Sequence, residues 1–166
     1  MTGSMEKAMR LHSECVSAFL ASAESVPEGR WSQPRMEGKW SPGEVAAHLV
    51  TSYEVVIGEL RGQPGMSIRT SRLQQIVLKL IFGWRILYFG RFPRGVKAPR
   101  ETRPAAALPK RVAIEKFREL ATDLEKAARE AGPAQKLSHP FFGKGSVSEG
   151  VLLCARHIEH HRHQIS

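Results

Sequence analysis

Four of the chain's seven histidines lie in one ten-residue segment, "RHIEHHRHQI". On a helix that advances about 100° per residue, His157 and His161 lie roughly 40° apart on one face. Such an i,i+4 pair is an arrangement that brings two imidazoles to one cation. In the same helical projection Gln164 and His160 lie within about 60° of His157, whereas His163 points about 120° away. The spacing therefore fits either half of a metal site or the solvated face of a basic segment.

A third ligand would have to come from elsewhere in the chain. A catalytic metal usually takes three protein ligands and keeps one position open, and in a helix bundle the third comes from a facing helix. His48, in "WSPGEVAAHL", is the candidate. Glu44 lies one turn earlier on the same face, either to orient a ligand or, as we favour, to complete a capping box. Gln164 either orients a ligand in the same way or bonds to a neighbouring helix. The pattern is not that of a zincin, because Glu159 in "HIEHH" faces away.

The remaining histidines and the two cysteines carry weaker signals. His139 precedes a proline, and we expect it to fix a turn through a structural hydrogen bond. His12 has no evident partner and is expected at the surface or at the edge of the core. Cys154 lies on the side of its helix that faces the site, where a buried thiol usually serves only packing. Cys15 and Cys154 form no disulfide framework, which suits a reducing cytosol.

The elements that position these residues read as helices. Apolar spacing predicts four principal helices, at about residues 7–23, 41–61, 110–131 and 147–164. Ser41 and Pro42 give the second of these its N-cap and first position. Residues 71–88 also read as helix, apolar on nearly every side, and residues 132–146 read as a loop. We therefore expect an all-α four-helix bundle, one domain over residues 1–166, with an irregular basic crossover at about 62–109.

The net charge of +9 belongs to one part of the chain. Residues 69–111 hold eleven basic residues and one acid, Glu101, a local balance of +10, so the rest sums to about −1. The basic residues of this segment alternate with aromatic ones, a composition that suits nucleic-acid binding, but no known binding motif is present. The aromatic residues are Trp84, Tyr88, Phe89 and Phe92. An anionic membrane surface is a second interpretation. We favour a third, in which the apolar part packs over the open end of the bundle and lines a substrate pocket or a homodimer contact, with the arginines solvated.

The amino-acid composition indicates the class of protein and the compartment in which we expect it. Apolar and charged contents of 42% and 25% are ordinary for a globular domain. The first residues, "MTGSMEKAMRLHSECV", have no apolar run like that of a signal peptide, and no stretch is long and apolar enough to cross a bilayer. We expect a cytoplasmic protein.

Three segments together resemble one family. "GKWSPGEVAAHL" resembles the W-S-x-x-E-x-x-x-H-L segment of the DinB-like (DinB/YfiT) superfamily, and "RHIEHHRHQI" is similar to its terminal H-x-x-x-H-R-x-Q-[IL] signature. "SHPFFGKGS" is similar to a His-Pro-Phe-Gly turn of some branches. The resemblance implies an up-down-down-up bundle with a long crossover between helices two and three. It also implies a divalent metal, commonly zinc or nickel, held by His48, His157 and His161.

The resemblance is less specific about the reaction. Characterised relatives are thiol transferases, thiol-dependent isomerases and hydrolases, so it implies activation of a thiol or water, with a low-molecular-weight thiol as co-substrate. A basic rim would favour an anionic small molecule. The alternative is a non-catalytic metal- or ligand-binding bundle whose basic segment binds nucleic acid or a membrane surface. The chain departs from the signature at His163, where glycine is common, and at His160, which is incidental, an extra ligand or a proton carrier.

Overall fold

Helices make up most of the protein. The computed structural model describes residues 2–83, 85–86, 92, 98–132 and 134–165. Its α-helices are α1 Thr2–Ser25, α2 Glu28–Trp31, α3 Pro42–Leu60, α4 Arg72–Leu78, α5 Lys110–Glu130 and α6 Val147–Ile165. A π-helix, Lys79–Gly83, continues α4, and a 3₁₀ turn, Arg100–Thr102, precedes α5. A two-stranded antiparallel hairpin, β1 Lys136–His139 and β2 Gly143–Ser146, precedes α6.

Two ion pairs show the relative direction of α1 and α5. Glu24, near the end of α1, pairs with Arg118 near the start of α5. Glu6, near the start of α1, pairs with Arg129 at the end of α5. The two helices are therefore antiparallel.

In contrast, α3 and α5 run in the same direction. Lys116 pairs with Glu54, and two turns further along Arg61, at the end of α3, pairs with Asp123. Because the helices are parallel, the chain between them must return along the length of the bundle. That return is the crossover, residues 61–109.

The last helix lies beside the first. The hydroxyl of Ser4 donates to that of Ser148, and both residues lie at the start of their helices. Because α1 and α6 pack extensively against each other and begin at the same end, they are parallel. Together with the directions of α3 and α5, this gives the order up-down-down-up. The predicted all-α bundle is confirmed.

Apolar residues from the four long helices meet in one core. The rings of Phe19 and Tyr53 each pack edge-on against Phe117, with centroids 5.1 Å apart in both pairs. Leu49 and Ile158 are fully buried beside them. Burying a side chain of this size stabilises the fold by roughly 1.5–3 kcal/mol. This core holds α3 and α6 in the positions that bring their histidines together.

The structure differs from the predicted elements in three places. The hairpin occupies a predicted loop, because neither of its four-residue strands alternates apolar and polar residues. Helix α2 was not predicted, and α1 begins before the expected residue 7. Over residues 71–88 the described part is helical, while residues 84, 87 and 88 lie outside the described residues. Across the described chain, no helix is long and apolar enough to span a membrane.

Candidate metal centre

The three predicted ligands meet between α3 and α6. The Nε2 atom of His157 lies 3.2 Å from Nε2 of His48 and 2.9 Å from Nε2 of His161. Each residue offers a ligand atom within 4.8 Å of the others, so the group could hold a metal ion. His48 and His161 are buried and His157 is partly exposed. Because α6 supplies an i,i+4 pair and α3 faces it, the site depends on this helix pairing.

Hydrogen bonds fix which nitrogen of two imidazoles carries the proton. Nδ1 of His48 lies 2.6 Å from the main-chain oxygen of Thr102, which can only accept, so Nδ1–H donates. Nδ1–H of His161 likewise donates to Oε1 of Gln164 at 2.8 Å. A neutral imidazole has one proton. The Nε2 lone pairs of both residues therefore face the cluster.

The chemistry of these donors fits a cation. Two Nε2 lone pairs point at Nε2 of His157, whose neutral ring can donate to only one of them. At least one of the two short contacts therefore has no proton directed from one nitrogen to the other. A divalent cation would accept all three, and zinc and nickel are among the metals that imidazole suits.

Burial keeps the three imidazoles in the form that binds metal. It lowers the pKa of His161 to about 3. Burial, followed by the neighbouring His161, lowers the pKa of His157 well below its ordinary value. Burial also lowers the pKa of His48, although the bond to Thr102 opposes it. The rings are therefore neutral near pH 7, and neutral imidazole is the ligand.

Aromatic rings surround the three histidines. The ring centroid of Trp40 lies 4.9 Å from that of His48, and Trp40 stacks at 6.4 Å on His161. The ring of Phe92, from the crossover, lies 5.8 Å from that of His157. These contacts limit the rotation of the imidazoles and shield them from bulk water.

A large cavity opens onto the cluster. Its volume is about 1830 Å³, above the 300–1,000 Å³ typical of small-molecule sites. Most of its lining is apolar, and Leu78, Ile86 and Phe92 come from the crossover. Lys39 and Arg103 are among its basic residues. The described part of the crossover thus lines a pocket, as the favoured interpretation of the basic segment expects.

The three accessory candidates have different positions. Gln164 bonds to His161 and, through its Nε2–H, donates to Nε2 of His160 at 3.0 Å. His160 lines the cavity but is outside the group of three. Glu44 accepts from the backbone N–H of Ser41 at 2.7 Å and completes the predicted capping box, so it is not part of the cluster.

Thr102 is the contact that the sequence did not reveal. It contributes a main-chain carbonyl, which every residue type possesses, so no motif could mark it. Its position depends on the path of the crossover, 54 residues along the chain from His48. The crossover therefore both lines the cavity and orients one of the three imidazoles.

Two other predictions concern residues beside the cavity. Nδ1 of His139 accepts the backbone N–H groups of Phe141 and Phe142, both at 3.3 Å, which confirms its expected role in a turn. Burial lowers the pKa of His139 to about 4. Burial raises the pKa of Cys154 to about 12, so its thiol is protonated near pH 7.

The prediction for His12 was wrong. Its side chain has 0% exposure. Nε2 lies 2.7 Å from the hydroxyl of Tyr53 on α3, and Nδ1 lies 2.8 Å from Oε1 of Glu125 on α5. Since a carboxylate only accepts, Nδ1–H donates to Glu125 and Nε2 accepts the Tyr53 proton. Both partners are distant in sequence, so helical spacing could not reveal them.

Comparison with protein families gives one match. A family model described as the DinB superfamily matches residues 12–165, nearly the whole chain. The chain belongs to the DinB superfamily. No curated protein and no solved structure matches it.

Proposed function

We propose that this DinB-superfamily protein is a metal-dependent enzyme whose His48, His157 and His161 hold one divalent ion, zinc or nickel. The observation that supports this most is the convergence of three Nε2 atoms whose lone pairs cannot all be satisfied by one another. A protein fold tolerates such a contact poorly unless a ligand relieves it. Family membership adds support for a metal-binding role.

The metal would supply acidity: a bound thiol or water has a lower pKa and becomes a nucleophile near pH 7. The chain's own residues prepare the site. Thr102 and Gln164 hold two imidazoles with Nε2 inward. Trp40 and Phe92 restrict their motion.

His160 is the candidate for moving a proton. It lines the cavity, and Gln164 joins it to His161. The carboxylate of Glu149 also lines the cavity but accepts from the backbone N–H of Ser146 at 2.7 Å and caps α6. Its role at the helix start makes it a poorer acid or base.

The cavity indicates the kind of substrate. Its apolar lining suits a small molecule with an apolar body, and basic side chains such as Arg103 and Lys39 suit an anionic group. A low-molecular-weight thiol would be the co-substrate of a transferase, and water that of a hydrolase. A cytoplasmic setting, expected for a chain with two free cysteines, would provide such thiols.

The alternative is a non-catalytic protein that binds a metal and a small ligand. The protonated thiol of Cys154 and the capping role of Glu149 favour it, because they leave the cavity with few reactive groups. The two functions differ in turnover, not in metal content.

The test is turnover by metal-loaded protein. Protein loaded with zinc or nickel is assayed with a thiol and the electrophile 1-chloro-2,4-dinitrobenzene, and separately with nitrophenyl esters. We expect metal-dependent activity in one assay, lost in His161→Ala and kept in His163→Ala. His163 is the matched control, since it is an exposed histidine of the same helix, paired with Glu159. One bound metal without turnover in either assay would support the binding protein instead.

A further inference from the structure

The described helical segment after α3 exposes an apolar face. Five of its aliphatic side chains are between 44% and 72% exposed, and we call them the α4 stripe: Leu73, Ile76, Val77, Leu80 and Ile81. Their spacing, i, i+3, i+4, i+7 and i+8, places them on one side of a helix. In a globular protein that side normally packs on a core, so its exposure marks an interaction surface.

The opposite side of the same segment already faces the protein. Leu78 and Gly83 line the cavity, as does Ile86 just beyond them. Nζ of Lys79 donates to the main-chain oxygen of Lys144 in the hairpin at 3.2 Å. The sequence suggested packing over the bundle, and the inner side does this. The outer side remains apolar and in contact with water.

Basic residues flank the α4 stripe along the chain. Arg72 begins α4 and Arg85 follows the π-helix, and both are exposed. The sequence of residues 69–111 adds nine further basic residues, with Glu101 as its one acid. Glu101 is paired with Arg69 at 3.2 Å. An occupant of this surface must therefore bury aliphatic side chains and tolerate, or prefer, a cationic border.

One occupant satisfies both conditions. A second copy docked by two-fold symmetry would bring two basic segments together, and like charges repel. Nucleic acid would match the charge but has no apolar surface for five aliphatic side chains. An anionic lipid surface offers both, because apolar residues enter the boundary of the acyl chains while Lys and Arg meet the headgroups.

We propose that the α4 stripe docks this protein on an anionic membrane surface. The segment lies in the interface and does not cross it, in line with its length of 12 residues from Arg72 to Gly83. Since the inner side of the segment lines the cavity, docking places the cavity next to the lipid. The inference does not depend on the metal centre.

Vesicle co-sedimentation tests the proposal. Wild-type protein is mixed with vesicles of phosphatidylcholine alone or of equal parts phosphatidylcholine and phosphatidylglycerol, at 0.05 and 0.3 M salt. We expect binding to the anionic vesicles that weakens with salt, and little binding to the neutral ones. Leu73→Ser with Leu80→Ser should lower the affinity at least tenfold, and Arg72→Gln with Arg85→Gln several-fold.

Val112→Ser is the matched control, because Val112 is 46% exposed on α5, outside the α4 stripe. It should bind as wild type does, and circular dichroism should show all variants folded. Three results would overturn the proposal. The first is no binding to anionic vesicles at 0.05 M salt, and the second is unchanged binding by the double leucine variant. The third is sedimentation of a dimer, or binding of duplex DNA, that the double leucine variant abolishes, since the surface would then belong to that partner.

Discussion

The bundle contains two buried histidine sites that differ in how their nitrogens are satisfied. In the first, His12 donates to Glu125 and accepts from Tyr53, so each ring nitrogen meets a group of the opposite role. In the second, Nε2 of His48 and of His161 both present lone pairs to Nε2 of His157. The first site is complete within the protein, whereas the second has lone pairs that its own rings cannot all satisfy and that a cation could accept.

This difference distinguishes a structural histidine from a candidate metal ligand, whereas the degree of burial does not. Burial lowers the pKa of His12 as it does that of His48 and His161. All three are therefore neutral near pH 7. What distinguishes them is where the remaining lone pair points: toward the hydroxyl proton of Tyr53 in the first site, and toward Nε2 of His157, which can donate to only one of the two rings, in the second.

Removing one ligand should have the largest effect. We expect His161→Ala, and equally His48→Ala, to weaken zinc binding at least 10³-fold, which is about 4 kcal/mol. The measurement is a titration against a competing chelator at pH 7. His12→Ala, compared per folded chain, should bind zinc as wild type does. Zinc binding that is unaffected by loss of His161 would show that these lone pairs do not form the site.

Stability should show the reverse pattern. His12→Ala leaves the Tyr53 hydroxyl without its acceptor and creates a cavity in the core. We therefore expect a loss of about 2–4 kcal/mol in the free energy of unfolding. In metal-free protein, His161→Ala should lower the free energy of unfolding much less, because it also removes a short contact between two imidazole nitrogens. Urea denaturation of both variants measures the difference. Equal losses would mean that the two sites are alike.

His139 extends the comparison to pH. Its pKa is about 4 in the folded protein against an ordinary 6.5, so the unfolded chain binds a proton first as the pH falls. Stability should therefore decrease from about pH 6.5 down to about 4, and its partial exposure limits the loss to about 1–2 kcal/mol. His139→Asn in metal-free protein should reduce the slope of this part of the profile, to which the other buried histidines also contribute, as measured by urea denaturation at each pH. A profile that keeps its slope would assign the effect to other histidines.

The smallest effect should come from the group that orients a ligand. Gln164→Ala removes the acceptor for Nδ1–H of His161 but leaves all three ligand atoms, so we expect about tenfold weaker zinc binding. Because Gln164 is exposed, the free energy of unfolding should change little. The chelator titration used for His161→Ala measures it. A loss as large as that of His161→Ala would make Gln164 a ligand rather than an orienting group.

Sequence identified the local features of the fold and site. The capping box of Ser41 and Glu44 and the i,i+4 pair of α6 follow from spacing within one helix. The choice of His48 follows from the need for a ligand on a facing helix and from the family resemblance. What it missed depends on tertiary packing. The carbonyl of Thr102 and the partners of His12 are brought in from elements 41 or more residues away.

The most direct test of the metal centre is X-ray absorption spectroscopy of zinc-loaded protein. We expect one zinc per chain with three imidazole nitrogens at about 2.0–2.1 Å. The imidazole contribution should fall in His161→Ala and stay the same in His12→Ala. A spectrum dominated by sulfur or by oxygen ligands alone, or one unchanged in His161→Ala, would contradict a site made of His48, His157 and His161.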